Sequence, residues 1–352
     1  MRVSPPTSAL AVALAAALVA ALVAVSCISP RGGVDLGTRG AEFALAWPEQ
    51  PNRARVRYLT SIATPSDVGA RPSLVRRIIN AVTGTASPRV RQPYGIAIDN
   101  AGRILVADVL AHGVHRFDPV TGSYDFLTVS GRNGLRSPIG VAVDVRGEIH
   151  VADSELGQVV VLRDDGRERR RVTTGITRPS GLAYDAKRDW MWVVDTQGHR
   201  VVAFGSDGVA RDTIGRRGTG AGEFNFPTNA VVGPDGAIYV TDALNVRIQV
   251  FEPDGRFRRA FGRHGDAIGD LARPKGIALD SDGHVWVVEG LYDVVNIFTP
   301  EGEPLLSVGA AGSGPGEFWL ATGIAIDRHD RIYVGDSHNG RVQVLQYMRE
   351  QP

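Results

Sequence analysis

Apolar and polar residues alternate along this chain in short runs, and the runs recur. Six times an extended stretch begins with a related motif: PYGIAID (Pro93–Asp99), PIGVAVD (Pro138–Asp144), PSGLAYD (Pro179–Asp185), PTNAVVG (Pro227–Gly233), PKGIALD (Pro274–Asp280) and ATGIAID (Ala321–Asp327). The third residues are Gly95, Gly140, Gly181, Asn229, Gly276 and Gly323, so the steps are 45, 41, 48, 47 and 47. After each motif comes a turn rich in Asp, Gly and Asn, then an apolar run ending in an acid: Asp108, Asp153, Asp195, Asp242, Glu289 and Asp336. A short loop leads to a second alternating run, such as IQVFE or VQVLQ. Turn signals such as PDGR then precede an outer run. Alternation with period two predicts strands. Each unit therefore reads as a four-stranded antiparallel meander. A period of this size predicts stacked supersecondary units rather than separate domains. The expected class is all-β, a six-bladed β-propeller.

The last copy is one strand short. Gly323–Leu345 supplies three strands and the chain stops at Pro352. An open sheet edge invites association. Arg53–Ile62 (RARVRYLTSI) alternates, has no meander of its own, and resembles the outer strands. It is expected to pair with Arg341–Tyr347 and close the ring. Residues 63–90 are then an insertion, in which Ser73–Gly84 (SLVRRIINAVTG) has the apolar spacing and caps of a short helix.

DALNVRIQVFEPDG (Asp242–Gly255) and DSHNGRVQVL (Asp336–Leu345) resemble the NHL repeat, and DTQGHRVVAF (Asp195–Phe204) is similar to it. The resemblance spans Pro93–Leu345 and implies an NHL-type propeller. WD40 blades have similar length, but their Trp-Asp mark does not occur here. Propellers of the NHL type include both binding modules and lyases, so the resemblance implies fold more strongly than function.

Residues 1–26 carry Arg2 and an uncharged apolar run from Ala9 to Val25, as an export signal does. Ala24-Val25-Ser26-Cys27 resembles the bacterial lipobox, and Cys27 is the single cysteine. That resemblance implies lipid attachment at Cys27 and a tether over 27–52. Ile28, rather than Asp, follows the cysteine. In a Gram-negative cell this implies the outer membrane. The expected location is the bacterial cell envelope, on the extracytoplasmic side, with the membrane contacted through the N-terminal lipid.

Composition adds limits. Hydrophobic residues make up 43% and charged residues 22%, enough for a substantial core. Removing residues 1–26 takes away one Arg and leaves 38 basic against 38 acidic side chains. That balance argues against nucleic acid as a partner.

Several side chains stand where chemistry is possible. In three units an Arg lies five residues beyond the strand-end acid: Asp195 with Arg200, Asp242 with Arg247, and Asp336 with Arg341. A carboxylate and a guanidinium so placed can form a brace across the loop. Asp108, Asp153 and Glu289 lack that Arg and are the better ligand candidates. His112 and His199 share a loop position, and His338 lies two residues earlier in its own unit. Zinc needs three or four converging ligands, and no clear histidine set falls on the channel-lining strands, so no metal or cofactor is expected. Gly218–Phe224 (GTGAGEF) and Gly312–Phe318 (GSGPGEF) lack the strand-to-helix context and the lysine of a phosphate loop, and read as connections between blades.

One loop face would gather Arg91, Tyr94, His112, Arg136, Glu155, Arg178, His199, Phe226, Asn245, Arg273, Lys275, Tyr292, Trp319 and His338. Aromatic residues and arginines are typical binding anchors. The expected function is recognition of a protein, peptide or glycan by a lipid-anchored propeller. The alternative is a metal-dependent lyase or lactonase working in the central channel, resembling streptogramin-lyase-like or gluconolactonase-like propellers.

Overall fold

The computed structural model describes residues 34–36, 45–49, 51–70, 88–129 and 134–349. Cys27 and the expected helix at Ser73–Gly84 lie outside the described residues. Six sheets stand around a central axis, and each of the first five is a meander of four antiparallel strands. Blade 1 is Pro93–Ile98, Ile104–Asp108, Gly113–Asp118 and Ser123–Leu127. Its first strand pairs with the second, the second with the third, and the third with the fourth. Blades 2 to 5 repeat this order from Pro138, Pro179, Pro227 and Pro274.

Blade 6 takes Ala321–Ile326, Arg331–Asp336 and Arg341–Tyr347 from the end of the chain, and Val56–Ile62 from its start. The seam pairs Val56 with Tyr347 and Ile62 with Val342. A bulge between Tyr58 and Thr60 shifts the alternation. Val56 and Tyr58 therefore face the core shared with blade 5, while Leu59 and Ile62 face the core shared with blade 1. Parts of the segment before the expected tether boundary at residue 52 pack on the ring. Ala46–Trp47 adds a fifth strand outside Val56–Ile62, and Leu36 is fully buried against blade 1. The alternation that betrays a strand is too short to read over two residues.

The apolar residues form six clusters, each sandwiched between neighbouring blades. Trp286, Phe318 and Ile332 fill the one between blades 5 and 6, and Phe117, Val106 and Tyr333 the one between 6 and 1. The ring depends on every neighbour having its partner. The motif glycines permit close approach at the axis. A Cβ on Gly140 would stand 2.0 Å from the Ser180 carbonyl oxygen, and one on Gly323 2.0 Å from that of Tyr94. The first strands enclose a channel of about 240 Å³ lined chiefly by Gly, Ala, Val, Ile and Leu.

The two connecting loops behave as the sequence suggests. Phe224 and Phe318 are fully buried plugs between blades 3 and 4 and between blades 5 and 6. Arg217 and Phe224 form a parallel bridge, as do His264 and Leu271 in the next connection.

Deleting residues 53–62 removes the outer pairing of Arg341–Tyr347 and uncovers Val344 and Leu345. The truncated protein should lose its cooperative melt or associate through the open edge, as read by light scattering and thermal unfolding. An unchanged monomer with an unchanged melt would refute closure by this strand.

Candidate binding face

The strand-end acids organise this face. Asp108, Asp153, Asp195, Asp242, Glu289 and Asp336 are all fully buried. Each accepts a backbone N–H from the segment leading into the first strand of its own blade. Asp108 takes Arg91 at 2.6 Å, Asp153 takes Arg136 at 2.7 Å, and Asp195 takes Arg178 at 2.9 Å. Asp242 takes Asn225 at 2.7 Å, Glu289 takes Ala272 at 2.8 Å, and Asp336 takes Trp319 at 2.8 Å. A buried carboxylate is tolerable only with such compensation.

The three expected braces are present. Arg200 reaches Asp195 at 3.2 Å, Arg247 reaches Asp242 at 2.8 Å, and Arg341 reaches Asp336 at 2.7 Å. The same guanidinium groups also tie down the inter-blade connections. Arg247 donates to the carbonyls of Gly220 and Glu223, and Arg341 to those of Gly314 and Glu317. Asp108, Asp153 and Glu289 are not the ligand contacts expected of acids without an Arg. The amides of Ala111, Leu156 and Leu291 fill the vacant side, and His115 Nε2 lies 3.1 Å from Asp108. Burial pushes the Asp108 carboxyl up, but the bonds from His115 and from the Arg91 and Ala111 amides outweigh it and hold it low.

The shared histidine position has a backbone cause. His112, His199, Val246 and Asp293 all sit at φ 53–55°, with Gly157 and Gly340 at 62° in the matching places. This loop needs a left-handed residue, which Gly, Asn, Asp and His tolerate best. His112 Nδ1 lies 2.6 Å from the Arg136 carbonyl, and His199 Nδ1 accepts the Phe226 N–H at 3.2 Å. Both latch one blade to the next. His199 is buried with its ring edge-on to Phe226, and Asn245 donates inward to Asp242 and to the Gly218 carbonyl. These two belong to the scaffold, a correction to their expected place among the recognition residues. His338 is exposed and packs on Trp319, with ring centroids 4.0 Å apart.

The histidines of this face form no ligand set. Among the described residues, one group has metal-ligating spacing: Asp144 and Glu148 in the turn between the first two strands of blade 2, and His150 on the second of them. Its signal was an acid followed by Glu at four and His at six residues, legible only once the turn folds back. Its oxygens are already engaged: Arg146 meets Asp144 at 2.6 Å, and Arg169 and Arg170 meet Glu148.

What remains exposed divides the face. Blades 4 to 6 carry Phe226, Leu244, Leu291, Tyr292, Trp319 and Leu320, from 38% to 62% exposed. Leu110 of blade 1 continues them at 50%. Leu110, Leu244 and Leu291 escaped the sequence reading. Each lies two residues beyond a strand-end acid, a register that the loops' differing composition obscured. Phe226 and Leu320 hold φ of 52° and 55°. Bulky residues rarely adopt that conformation, at a cost of about 1–3 kcal/mol. Arg91, Arg136, Arg178 and Arg273 are exposed around them, and Arg136 pairs with Glu155 at 3.2 Å. Tyr94 is half-buried at the channel mouth, its phenol raised by burial against the opposing pull of Arg178. Burial lowers the Lys275 ammonium, and Arg273 adds to this while Asp293 and Glu289 oppose it.

A family model described as NHL repeat matches residues 318–345. The chain is a six-bladed β-propeller carrying the NHL repeat. No curated protein sequence matches it. Among solved structures it is similar to a virginiamycin B lyase from Staphylococcus aureus, at 17% identity and TM-score 0.55, covering 73% of this chain and 95% of the other. A gluconolactonase from Xanthomonas campestris aligns at 18% identity and TM-score 0.54, covering 74% and 87%. An auxiliary nutrient binding protein from Bacteroides ovatus aligns at 13% identity and TM-score 0.57, covering 73% and 69%. These likenesses establish the propeller fold alone.

Two predictions follow from the buried acids. Asp242→Ala leaves Asn245, Arg247, Gln249 and the Asn225 amide without their acceptor, and should lower the unfolding free energy by about 3–5 kcal/mol. Tyr292→Ala on the exposed crescent should change it by no more than about 0.5 kcal/mol, both read by urea denaturation. The second concerns Asp144. Burial opposes its ionisation, yet the bonds from His150, the Glu148 amide and Arg146 bring it down to about 2. Its folded value lies below its unfolded one, so its stabilisation is complete above about pH 4 and lost as pH falls toward 2. The gain is at most about 2 kcal/mol, less after solvent screening of Arg146. The stability gap between the parent and Asp144→Asn should narrow over that window in pH-dependent melting.

Proposed function

We propose that this protein is a lipid-anchored, extracytoplasmic propeller that recognises a protein, peptide or glycan through the face just described. The observation that carries this reading is the pairing of exposed aromatic and aliphatic side chains with exposed arginines on one side of the ring. Large aromatic anchors beside guanidinium groups are what binding hot spots are built from. Held on a rigid ring, they are presented with little ordering cost. The lipobox-like Cys27 supports anchoring in a bacterial envelope, at the outer membrane in a Gram-negative cell.

A lyase or lactonase acting in the channel is the alternative, suggested by the names of two structural relatives. The channel's lining of small and apolar side chains gives it little support. Stoichiometric metal in the purified protein, lost together with an activity on chelation, would favour that alternative.

A photoreactive phenylalanine analogue at Tyr292 in intact cells should yield a discrete adduct that Trp319→Ala weakens. The same analogue at Val209, exposed on the turn that ends the third strand of blade 3, should yield none. Equal labelling at both positions would refute recognition through this face. Incorporation of an alkyne fatty acid, abolished by Cys27→Ser, tests the anchor separately.

A further inference from the structure

The N-terminal segment is rooted on the side of the ring opposite the crescent. The Val34 N–H donates to the Pro119 carbonyl at 2.8 Å, in the turn between the third and fourth strands of blade 1. Leu36 is fully buried in the core between blades 6 and 1. Val34 and Asp35 line a cavity of about 530 Å³ with Asp99, Val120, Asp327 and Arg331, all from that opposite side. The crescent is built instead from the loops between second and third strands and from those between blades.

Six residues separate Cys27 from Val34. Fully extended, that length reaches at most about 25 Å. The five to seven residues of a strand alone span about 17–23 Å, before the loops on either side are added. A chain leaving one side of the disc cannot travel around its rim and still lay the other side on the membrane that holds the lipid. The exposed Trp319, Tyr292, Leu244 and Leu291 would otherwise suit a bilayer interface, where aromatic and apolar residues beside cations are the usual makeup. The root of the tether excludes that occupant.

Charge narrows what remains. Arg91, Arg178 and Arg273 are exposed around the channel mouth, and Lys275 stands half-buried beside them. Glu155 is an exposed acid of the same loops and is already paired with Arg136. The strand-end acids that would neutralise the face are buried and hold backbone amides. The face therefore offers apolar contacts on blades 4 to 6 and positive charge from Arg91, Arg178, Arg273 and Lys275.

We propose that this face docks an acidic polypeptide segment with apolar side chains, held on the side of the ring away from the anchoring membrane. The carboxylates of the segment meet Arg178, Arg273 and Lys275, and its apolar residues lie along Phe226, Tyr292 and Trp319. This rests on the anchored, face-recognising reading above.

The test uses the full lipidated protein in neutral phosphatidylcholine vesicles. The probes are a fluorescent peptide alternating Glu with Leu and Phe, and its counterpart with Lys in place of Glu. The acidic peptide should bind about tenfold or more tightly than the basic one. Raised salt and the double variant Arg178→Glu with Arg273→Glu should each remove the preference. A fluorophore at Val120→Cys should be quenched by headgroup-labelled lipid more than one at Glu155→Cys. Equal binding of the two peptides, or none of either, would overturn the proposed partner class. Stronger quenching at Glu155→Cys would overturn the orientation and make the membrane the occupant. In either case the crosslinking at Tyr292 and the fatty-acid labelling at Cys27 judge the underlying reading separately.

Discussion

A carboxylate buried at the end of every second strand holds this ring in shape. It accepts the backbone amides that lead the chain into the first strand of the same blade, so the loop between second and third strands and the loop between blades are fixed against each other. The carboxylate is fully buried and surrounded by donors, and low local dielectric makes each of those bonds count. Where an Arg stands five residues on, it completes the acceptor's shell and ties the connecting loop as well. Where no Arg is present, a further backbone amide takes its place. The exposed aromatic, aliphatic and arginine side chains stand on these two loops, so the pattern that stabilises the blade also sets the geometry of the face.

The second constraint is closure. Apolar burial here lies between blades, and a blade without a neighbour would expose one whole side of its sheet. A propeller left open would present both that surface and an unpaired strand edge. Val56–Ile62 addresses both, since its bulge sends Tyr58 toward blade 5 and Leu59 toward blade 1. The Thr322 hydroxyl adds a bond to the Pro93 carbonyl between the first strands of blades 6 and 1, at 3.1 Å.

The closed ring encloses a narrow channel lined chiefly by small and apolar side chains. The buried strand-end acids of the face are engaged in structural bonds, and the one cluster with metal-ligating spacing among the described residues is paired with arginines. Phe226 and Leu320 are held in a backbone conformation that bulky residues avoid, a cost that packing at the inter-blade connections offsets. That places apolar side chains in water beside exposed arginines.

The sequence by itself determined the blade count, the order of strands within each blade, and the strand that closes the ring. Those follow from a period-two alternation repeated at 41–48 residues, and local periodicity survives in one dimension. It also determined the three Asp–Arg braces, because five residues of loop bring the two side chains together. The tertiary structure decided which polar residues are free. His199 and Asn245 occupy the same kind of loop as Tyr292, yet turn inward to donors and acceptors supplied by distant segments. Asp153 and Glu289 looked available because their partners are backbone amides, which leave no mark in a sequence, and Asp108 adds to its amides a histidine that stands seven residues on. The root of the N-terminal segment on the opposite side of the ring was likewise invisible, since Leu36 finds its place only among side chains from blades that the chain has not yet made.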